Sequence, residues 1–238
     1  MNIMNYEVFV DEFESIDLEI KKIINTINPH SYVTAKSDSV FQEALKKSDF
    51  LIPDGSGIVL ASKIIYKTDI EKIAGADLHK FLLSKMNEKS GKVFYMGASQ
   101  KTLDKIEERI KVEYPNIQVQ SYSPPYKAEF SVDENDVIIK KINSFKPDVV
   151  FVGMTAPKQE KWLHEHKDNL EFKVASCIGA VFDFYAGTVE RPSQFWIDIH
   201  LEWLPRLLKE PKRLWRRNFI STPLFLWDIL LYKIGFKK

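Results

Sequence analysis

The stretch from Asp148 to Gly179 reads DVVFVGMTAPKQEKWLHEHKDNLEFKVASCIG and contains the pattern that decides the fold. One apolar run ends at Gly153, a helix-like segment extends from about Pro157 to His166, and a second apolar run ends at Gly179. Short apolar runs separated by a helix of this length are typical of a βαβ unit, whose two strands are parallel. This segment therefore predicts a parallel sheet covered by helices.

The same alternation continues through most of the chain. The other predicted strands are Tyr32–Val33, Phe50–Ile52, Lys92–Met96 and Ile117–Ser121, and helix-like segments follow them around 40–47, 56–65, 102–112 and 133–145. We predict an α/β fold with a Rossmann-like, mostly parallel sheet flanked by helices over residues 1–192. Aromatic and basic residues crowd together after Pro192, which predicts a basic amphipathic helical tail over residues 193–238.

The composition is that of a globular protein from a reducing compartment. With 238 residues and 45% hydrophobic content, the chain is long enough to bury a sizeable core. Its single cysteine, Cys177, excludes an internal disulfide. Glu7, Asp11 and Glu12 stand where a signal peptide needs a basic and then an apolar run, so we expect a cytoplasmic protein.

The net charge of +1 conceals an uneven distribution of charge. From Glu202 onward there are nine Lys or Arg against three Asp or Glu, a net of +6; the preceding part has 25 against 30, a net of −5. A basic tail on a mildly acidic body favours contact with an anionic surface or ligand. On charge alone, nucleic acid fits as well as a membrane.

Glycine closely follows four of the predicted strands, at Gly55, Gly97, Gly153 and Gly179. One explanation is that glycine supplies the positive φ of tight turns. The other is that these turns lie together at the carboxyl edge of a parallel sheet, where helix N-termini favour phosphate and ligands bind. Four such turns predict a ligand cleft. None of them forms the dinucleotide fingerprint, which disfavours an ordinary dehydrogenase.

Asp54 is the strongest candidate for chemistry. It follows the apolar run that ends at Pro53, and Gly55 and Gly57 open the next turn. A lone Asp-Gly is most simply a helix cap, but the flanking glycines leave this carboxylate uncovered at the mouth of the cleft, which suits a general base. Thr34, expected at the end of the preceding strand, projects from the same edge and either positions a substrate or caps the following turn.

Three further polar residues are candidates for substrate binding. Asp77 either caps a helix or binds substrate, and Gln159 and Glu160 open the helix after Gly153, where an amide is well placed to read a base or a sugar. No metal is expected, because no two aspartates are separated by a single residue and the histidines form no ligand pattern.

The tail combines tryptophan, arginine and apolar residues. Three of the five tryptophans lie in it after residue 201. Its apolar stretch is far shorter than the roughly 20 residues that span a bilayer, and Asp228 interrupts it. A basic amphipathic helix in the lipid headgroup region fits this pattern; a helix packed on the protein's own core is the alternative. Away from a membrane, an exposed apolar tail favours self-association.

Taken together, these motifs resemble the WecG/TagA/CpsF family of bacterial glycosyltransferases. The matching stretches are collinear over roughly residues 34–218 and are Pro53–Gly57, Ala74–Leu78, Lys146–Asp148, Pro157–Trp162, Gly179–Gly187 and Leu201–Arg217. Each stretch is short, and the specificity lies in their common order. Many family members carry a proline–asparagine pair after the threonine; this chain has Ala35-Lys36 there, and Thr34 is several residues closer to Asp54.

The resemblance implies an inverting, metal-independent and cofactor-free transfer from a UDP-sugar donor. It implies an undecaprenyl-diphosphate-linked sugar as acceptor, a position on the inner face of the plasma membrane, no nucleic-acid partner, and a product for teichoic acid, common antigen or capsule. Asp54 is then the base, with Thr34 nearby. The tail arginines matching those that close over the active site are Arg206, Arg213 and Arg216.

Two other functions remain open on the sequence. A nucleotide-binding Rossmann enzyme of another class is one, and the missing glycine fingerprint argues against it. A non-catalytic membrane-associated partner of a polysaccharide assembly complex is the other, and the presence of Asp54 and the tail arginines argues against it.

Overall fold

The computed structural model describes residues 1–190, 193, 196 and 203–236, and of Arg206 and Arg213 it describes the backbone. The boundary expected at Pro192 therefore lies outside the described residues. The strands are β1 (Asn2–Ile3), β2 (Tyr6–Glu7), β3 (Lys22–Ile27), β4 (Phe50–Pro53), β5 (Lys92–Gly97), β6 (Gln118–Tyr122), β7 (Val149–Gly153) and β8 (Val174–Cys177). The first two form an antiparallel hairpin, and the other six form one parallel sheet in the order β4-β3-β8-β7-β5-β6.

Helices connect the strands and follow the last of them. Those between and directly after the strands are α1 (Pro29–Ala35), α2 (Ser39–Lys46), α3 (Ser56–Ala61), α4 (Gly75–Glu88), α5 (Gln100–Glu113), α6 (Val132–Phe145), α7 (Lys158–His166) and α8 (Val181–Tyr185). Those of the tail are α9 (Trp203–Lys209), α10 (Pro211–Arg216) and α11 (Thr222–Lys233), with a π-helical turn at Arg217–Ser221 between the last two.

Both faces of the sheet are covered, as the near-continuous apolar strands require. On one face, α4, α5 and α8 pack around fully buried residues such as Leu82, Ile106 and Phe151. On the other face, α6 and α7 pack around Ile142 and Leu163. The α/β architecture predicted from the sequence is confirmed.

The prediction of a strand at Tyr32–Val33 is wrong, because these residues lie in α1. The carbonyl of the Asn28 side chain accepts hydrogen bonds from the backbone N–H groups of His30 and Ser31, and Pro29 occupies the first helical position. An asparagine cap followed by proline is a helix start. The strand lies just before it, at Lys22–Ile27, in the interior of the sheet.

The last helix packs on the body of the protein. The side chain of Phe225 is completely buried in the cluster that α1, α2, α3 and the hairpin form, and its ring meets that of Tyr32 edge-on at 5.2 Å. Asp228 is also buried, and its Oδ2 accepts hydrogen bonds from Lys36 Nζ at 2.6 Å and from the Tyr32 hydroxyl at 3.2 Å. One side of α11 is therefore part of the core.

Candidate active site

The glycine-containing turns gather at one edge of the sheet, as predicted. Because all six strands are parallel, the turns after β4, β5, β7 and β8 share its carboxyl edge. Asp54 follows β4 directly, is partly exposed, and donates its backbone N–H to the carbonyl of Ile27 at 2.9 Å. Gly55 has a φ of +97° and open space where a Cβ would stand. The carboxylate thus lies at a turn that only glycine adopts readily.

Thr34 does not lie at this edge. It lies in the last turn of α1, where its hydroxyl donates to the carbonyl of His30 at 2.8 Å. The threonine at the end of the strand beside Asp54 is Thr26, which is paired in register with Ile52 and is partly buried. Thr26 is 28 residues before Asp54, whereas Thr34 is 20 residues before it, and Asn28 follows Thr26 by two.

The two threonines give a direct test of this placement. We expect Thr26→Val to lower kcat/KM about tenfold, because a hydroxyl at the carboxyl edge is lost from the site. Thr34→Val removes a hydroxyl that bonds within its own helix, and we expect kcat/KM to stay within about twofold of wild type. Steady-state kinetics of both variants measures the difference. Equal losses, or a larger loss for Thr34→Val, would contradict the placement.

Three of the other glycines are explained by close packing. A Cβ on Gly97 would lie 2.3 Å from the carbonyl oxygen of Gly153, and one on Gly153 would lie 2.5 Å from the ring of Phe182. A Cβ on Gly57 would lie 2.3 Å from the ring of Pro29. These glycines let the strand ends and helices approach closely, so they shape the edge of the sheet; their contact with substrate stays a prediction.

The remaining predicted polar residues are engaged within the protein. Asp77 is the third residue of α4, and its Oδ2 accepts the backbone N–H of Ala74 at 2.9 Å, which closes the first turn of the helix. Gln159 and Glu160 are both 4% exposed. Gln159 Nε2 donates to Glu160 Oε1 at 2.8 Å, and burial raises the pKa of Glu160 to about 7.

A cavity of about 440 Å³ opens at the N-terminus of α5. Its walls come from α5, α8 and the end of α9, and they comprise Ser99, Lys101, Thr102, Ala180, Asp183, Phe184, Thr188, Val189, Glu190, Lys209 and Glu210. A helix N-terminus and Lys101 favour an anionic group. Lys209 is paired with Glu190 at 3.0 Å, and the three carboxylates of the lining can accept hydrogen bonds from hydroxyls. Among the described residues, none of those predicted for substrate binding lines this cavity.

The sequence contained a partial signal for it. Ser99 lies two residues after Gly97 and caps α5 by accepting the backbone N–H of Thr102, and Ala180 follows Gly179. The cavity is therefore continuous with the glycine-lined edge. Asp54 lies at the end of β4, two strands from β8, or about 10 Å at the usual spacing between strands.

The family model described as "Glycosyl transferase WecG/TagA/CpsF family" matches residues 1–238. The chain belongs to this family. It is 35% identical over 227 residues to N-acetylglucosaminyldiphosphoundecaprenol N-acetyl-beta-D-mannosaminyltransferase of Bacillus spizizenii, a match that covers 94% of this chain and 86% of the relative. The protein of the same name in Bacillus subtilis strain 168 is 33% identical over 95% of this chain and 86% of its own length. That of Staphylococcus aureus strain MW2 is 29% identical over 90% and 82%.

Membership of the WecG/TagA/CpsF family confirms the resemblance and makes the chain a glycosyltransferase. Of the three predicted arginines of this transferase, Arg216 is described in full and is exposed at the end of α10; the side chains of Arg206 and Arg213 lie outside the described residues. Burial lowers the pKa of His30, and the nearby charges of Arg217 and Arg216 lower it further; His30 Nδ1 bonds to Ser221 Oγ at 2.9 Å. His30 is the second residue of α1, and α1 begins just after the carboxyl end of β3. The end of α10 therefore lies close to the carboxyl edge of the sheet.

Two structural features of the described part of this transferase concern metal binding and the crossing of a membrane. Its described residues include no group of three or more His, Cys, Asp or Glu side chains that could hold a metal ion. Within the same residues, no helix combines the length and the apolar character needed to cross a bilayer.

Proposed function

We propose that this transferase moves a hexose, an N-acetylhexosamine or its uronic acid from a UDP-sugar to an undecaprenyl-diphosphate-linked sugar, with inversion and without a metal. The observation that carries the proposal is that Asp54 and the Gly179 turn, which leads into one wall of the cavity, share the carboxyl edge of the sheet two strands apart, or about 10 Å. That separation allows one nucleotide-sugar to lie along the edge with its sugar next to Asp54.

Asp54 acts as the general base in this scheme. Inversion takes a single displacement, in which the acceptor hydroxyl attacks the anomeric carbon while a base removes its proton. The bond from that carbon to the UDP oxygen breaks, and UDP leaves with the electron pair. Asp54 suits the first role because it is partly exposed, directly follows a strand end and precedes the turn opened by Gly55.

The leaving diphosphate needs positive charge around it. The N-terminus of α5 and Lys101 supply it from the cavity. Arg206, Arg213 and Arg216 supply it from the tail, since guanidinium groups match phosphate oxygens and remain protonated. The proximity of Arg216 and Arg217 to His30 supports this assignment, because it brings the tail's charges to the edge that carries Asp54.

The acceptor is proposed from the relatives. The names of the Bacillus relatives describe transfer of N-acetyl-β-D-mannosamine to N-acetylglucosaminyldiphosphoundecaprenol. A lipid-linked acceptor of this kind makes the reaction a step in cell-surface polysaccharide synthesis at the inner face of the plasma membrane.

The surface of the tail supports contact with that membrane. Its described helices expose large apolar side chains next to basic ones, including Leu208 at 75%, Phe219 at 62% and Trp227 at 59%. Exposed tryptophan and leucine beside lysine and arginine are typical of helices that lie in the headgroup region. The same apolar surface favours self-association when no membrane is present.

The proposal predicts release of UDP only when both substrates are present. UDP-N-acetylmannosamine with a polyprenyl-diphosphate-linked N-acetylglucosamine should yield UDP, and EDTA should leave the rate unchanged because the tail arginines replace the metal. Coupled UDP detection, run with a panel of UDP-sugars, measures this. Loss of activity in EDTA that Mg²⁺ or Mn²⁺ restores would contradict the metal-free scheme. If the protein instead binds a reduced nicotinamide cofactor and transfers no sugar, another class of Rossmann enzyme would be favoured.

A further inference from the structure

Glu160 is a buried carboxyl group that has no charged partner within the described part of the chain. It is 4% exposed, and Oε1 accepts the hydrogen bond from Gln159 Nε2 at 2.8 Å. Oε2 is buried and has no hydrogen-bond partner among the residues that the structure describes. Such a group costs stability, because the water that would solvate it is lost and only part of its capacity is satisfied. A leucine of similar size would avoid that cost, so the carboxyl is better explained by what it does to Gln159.

The Gln159 amide lies between two turns of the carboxyl edge. Its Oε1 accepts the backbone N–H of Met154, directly after β7, at 3.0 Å. Its other side lies against Gly179, after β8, where an added Cβ would come within 3.4 Å of Oε1 and 3.5 Å of Nε2. The amide therefore sets how the two turns lie relative to each other.

The second of these turns leads directly into the wall of the cavity. The carbonyl of Gly179 accepts the backbone N–H of Phe182, and Ala180 and Asp183 both line the cavity. A displacement of the Gln159 amide would reach Asp183 through a single turn of helix.

We infer that Glu160 is a positioning residue of the transfer reaction, which fixes the Gln159 amide and through it the turns that border the cavity. The inference rests on the proposed function and deepens it. A carboxylate oxygen only accepts, so Glu160 forces the NH₂ group of Gln159 towards itself and the carbonyl towards Met154 N–H. An amide at position 160 could present either its oxygen or its NH₂ group to Gln159. The orientation of the Gln159 amide would then no longer be fixed.

Few titratable groups among the described residues face Glu160, so its own titration can be measured. Burial raises its pKa to about 7, and the titratable group that faces it from β8 is Cys177, whose own pKa burial raises. The described part of β7 presents only apolar residues and glycine. From α2, Asp38 approaches α7 but is paired with Lys161 at 2.9 Å. Below pH 7 Glu160 is neutral and its oxygen is a weaker acceptor; above pH 7 it is ionised and holds Gln159 more firmly.

The first test is the pH profile of Glu160→Gln. In the wild type, kcat/KM should rise as the pH passes about 7. Glu160→Gln should lack that rise and should be about tenfold lower at pH 8, the size of a lost charge-assisted hydrogen bond. Glu165→Gln, an exposed position on the same helix, should behave as wild type. If Glu160→Gln lowers the melting temperature but keeps the wild-type profile and kcat/KM, the residue is merely structural and the inference is overturned.

A second test needs no substrate. The side-chain ¹⁵N amide signal of Gln159, identified by its loss in Gln159→Met, should shift with an apparent pKa near 7 in the wild type and in Glu165→Gln. It should be independent of pH in Glu160→Gln. A wild-type signal that does not move between pH 5.5 and 8.5 would overturn the inference even if the enzyme transfers sugar. A shift in a protein that transfers nothing would leave the pairing intact and reject the proposed function.

Discussion

Asp54→Asn should lower kcat by about 10²- to 10⁴-fold, the usual contribution of a general base. Asparagine keeps the size of the side chain but cannot take a proton from the acceptor hydroxyl. The backbone N–H of residue 54 still reaches the carbonyl of Ile27, so the fold should be intact. The KM for the UDP-sugar should change little, because the base acts on the other substrate. UDP release under saturating substrates measures the effect.

A matched control makes this result specific. Asp69 is a surface aspartate, 77% exposed and paired with Lys63, and Asp69→Asn should retain wild-type kcat. Melting temperatures of both variants within a few degrees of wild type would exclude unfolding as the cause. Activity close to normal in Asp54→Asn would remove Asp54 from the mechanism and direct attention to other acids at the edge, beginning with Asp183.

The parallel sheet could be predicted because most of its strands are uninterrupted apolar runs. β5, β7 and β8 are almost fully buried, so their sequences are apolar nearly from end to end. The pattern does not predict β3, because this strand carries the polar residues Asn25 and Thr26. The apolar pair Tyr32–Val33 is more typical of a strand, although it lies in a helix. The start signal at Asn28-Pro29 was present in the sequence and would have corrected the error.

The site was predictable where chemistry and a strand end coincide in a few consecutive residues. Asp54 meets that condition. The cavity does not, because Thr102 and Asp183 are 81 residues apart and come together only through the sheet order β8-β7-β5. The role of Gln159 is likewise set by Met154 and Gly179, and the position of Gly179 beside it depends on β8 pairing with β7. Short motifs locate single residues, and tertiary pairing decides what those residues face.

The sequence left two interpretations of the tail open, packing on the core and contact with a membrane. α11 buries Phe225 and Ile229 in the core, as the packing alternative predicts. It also exposes Leu224, Trp227 and Leu230 by about half of their surface, and the membrane interpretation depends on this exposed side. Deleting the whole tail would remove both surfaces at once and could not separate stability from membrane binding. Single substitutions on the two sides of α11 can.

Phe225→Ala should lower the free energy of unfolding by about 3–5 kcal/mol. The ring is completely buried against Tyr32 and next to Gly57, so its removal loses apolar burial and leaves a cavity that α1 and α3 cannot easily fill. For a domain of this size the melting temperature should fall by roughly 10 °C. Calorimetry or denaturant titration monitored by circular dichroism measures the change. Since α1 begins at the end of β3, activity should also fall as α11 loosens.

Trp227→Ala is the matched variant on the opposite side of the same helix. Its side chain is 59% exposed, so the melting temperature should change by no more than about 2 °C, whereas sedimentation with vesicles containing anionic lipid should weaken several-fold. If Trp227→Ala binds vesicles as wild type does, the exposed side of α11 is not the membrane contact. If Phe225→Ala melts as wild type does, α11 contributes nothing to the core and is an appendage after all. Opposite responses of the two variants would establish that one helix joins the catalytic body to the lipid surface, which would fix the orientation of the Asp54 edge relative to a lipid-linked acceptor.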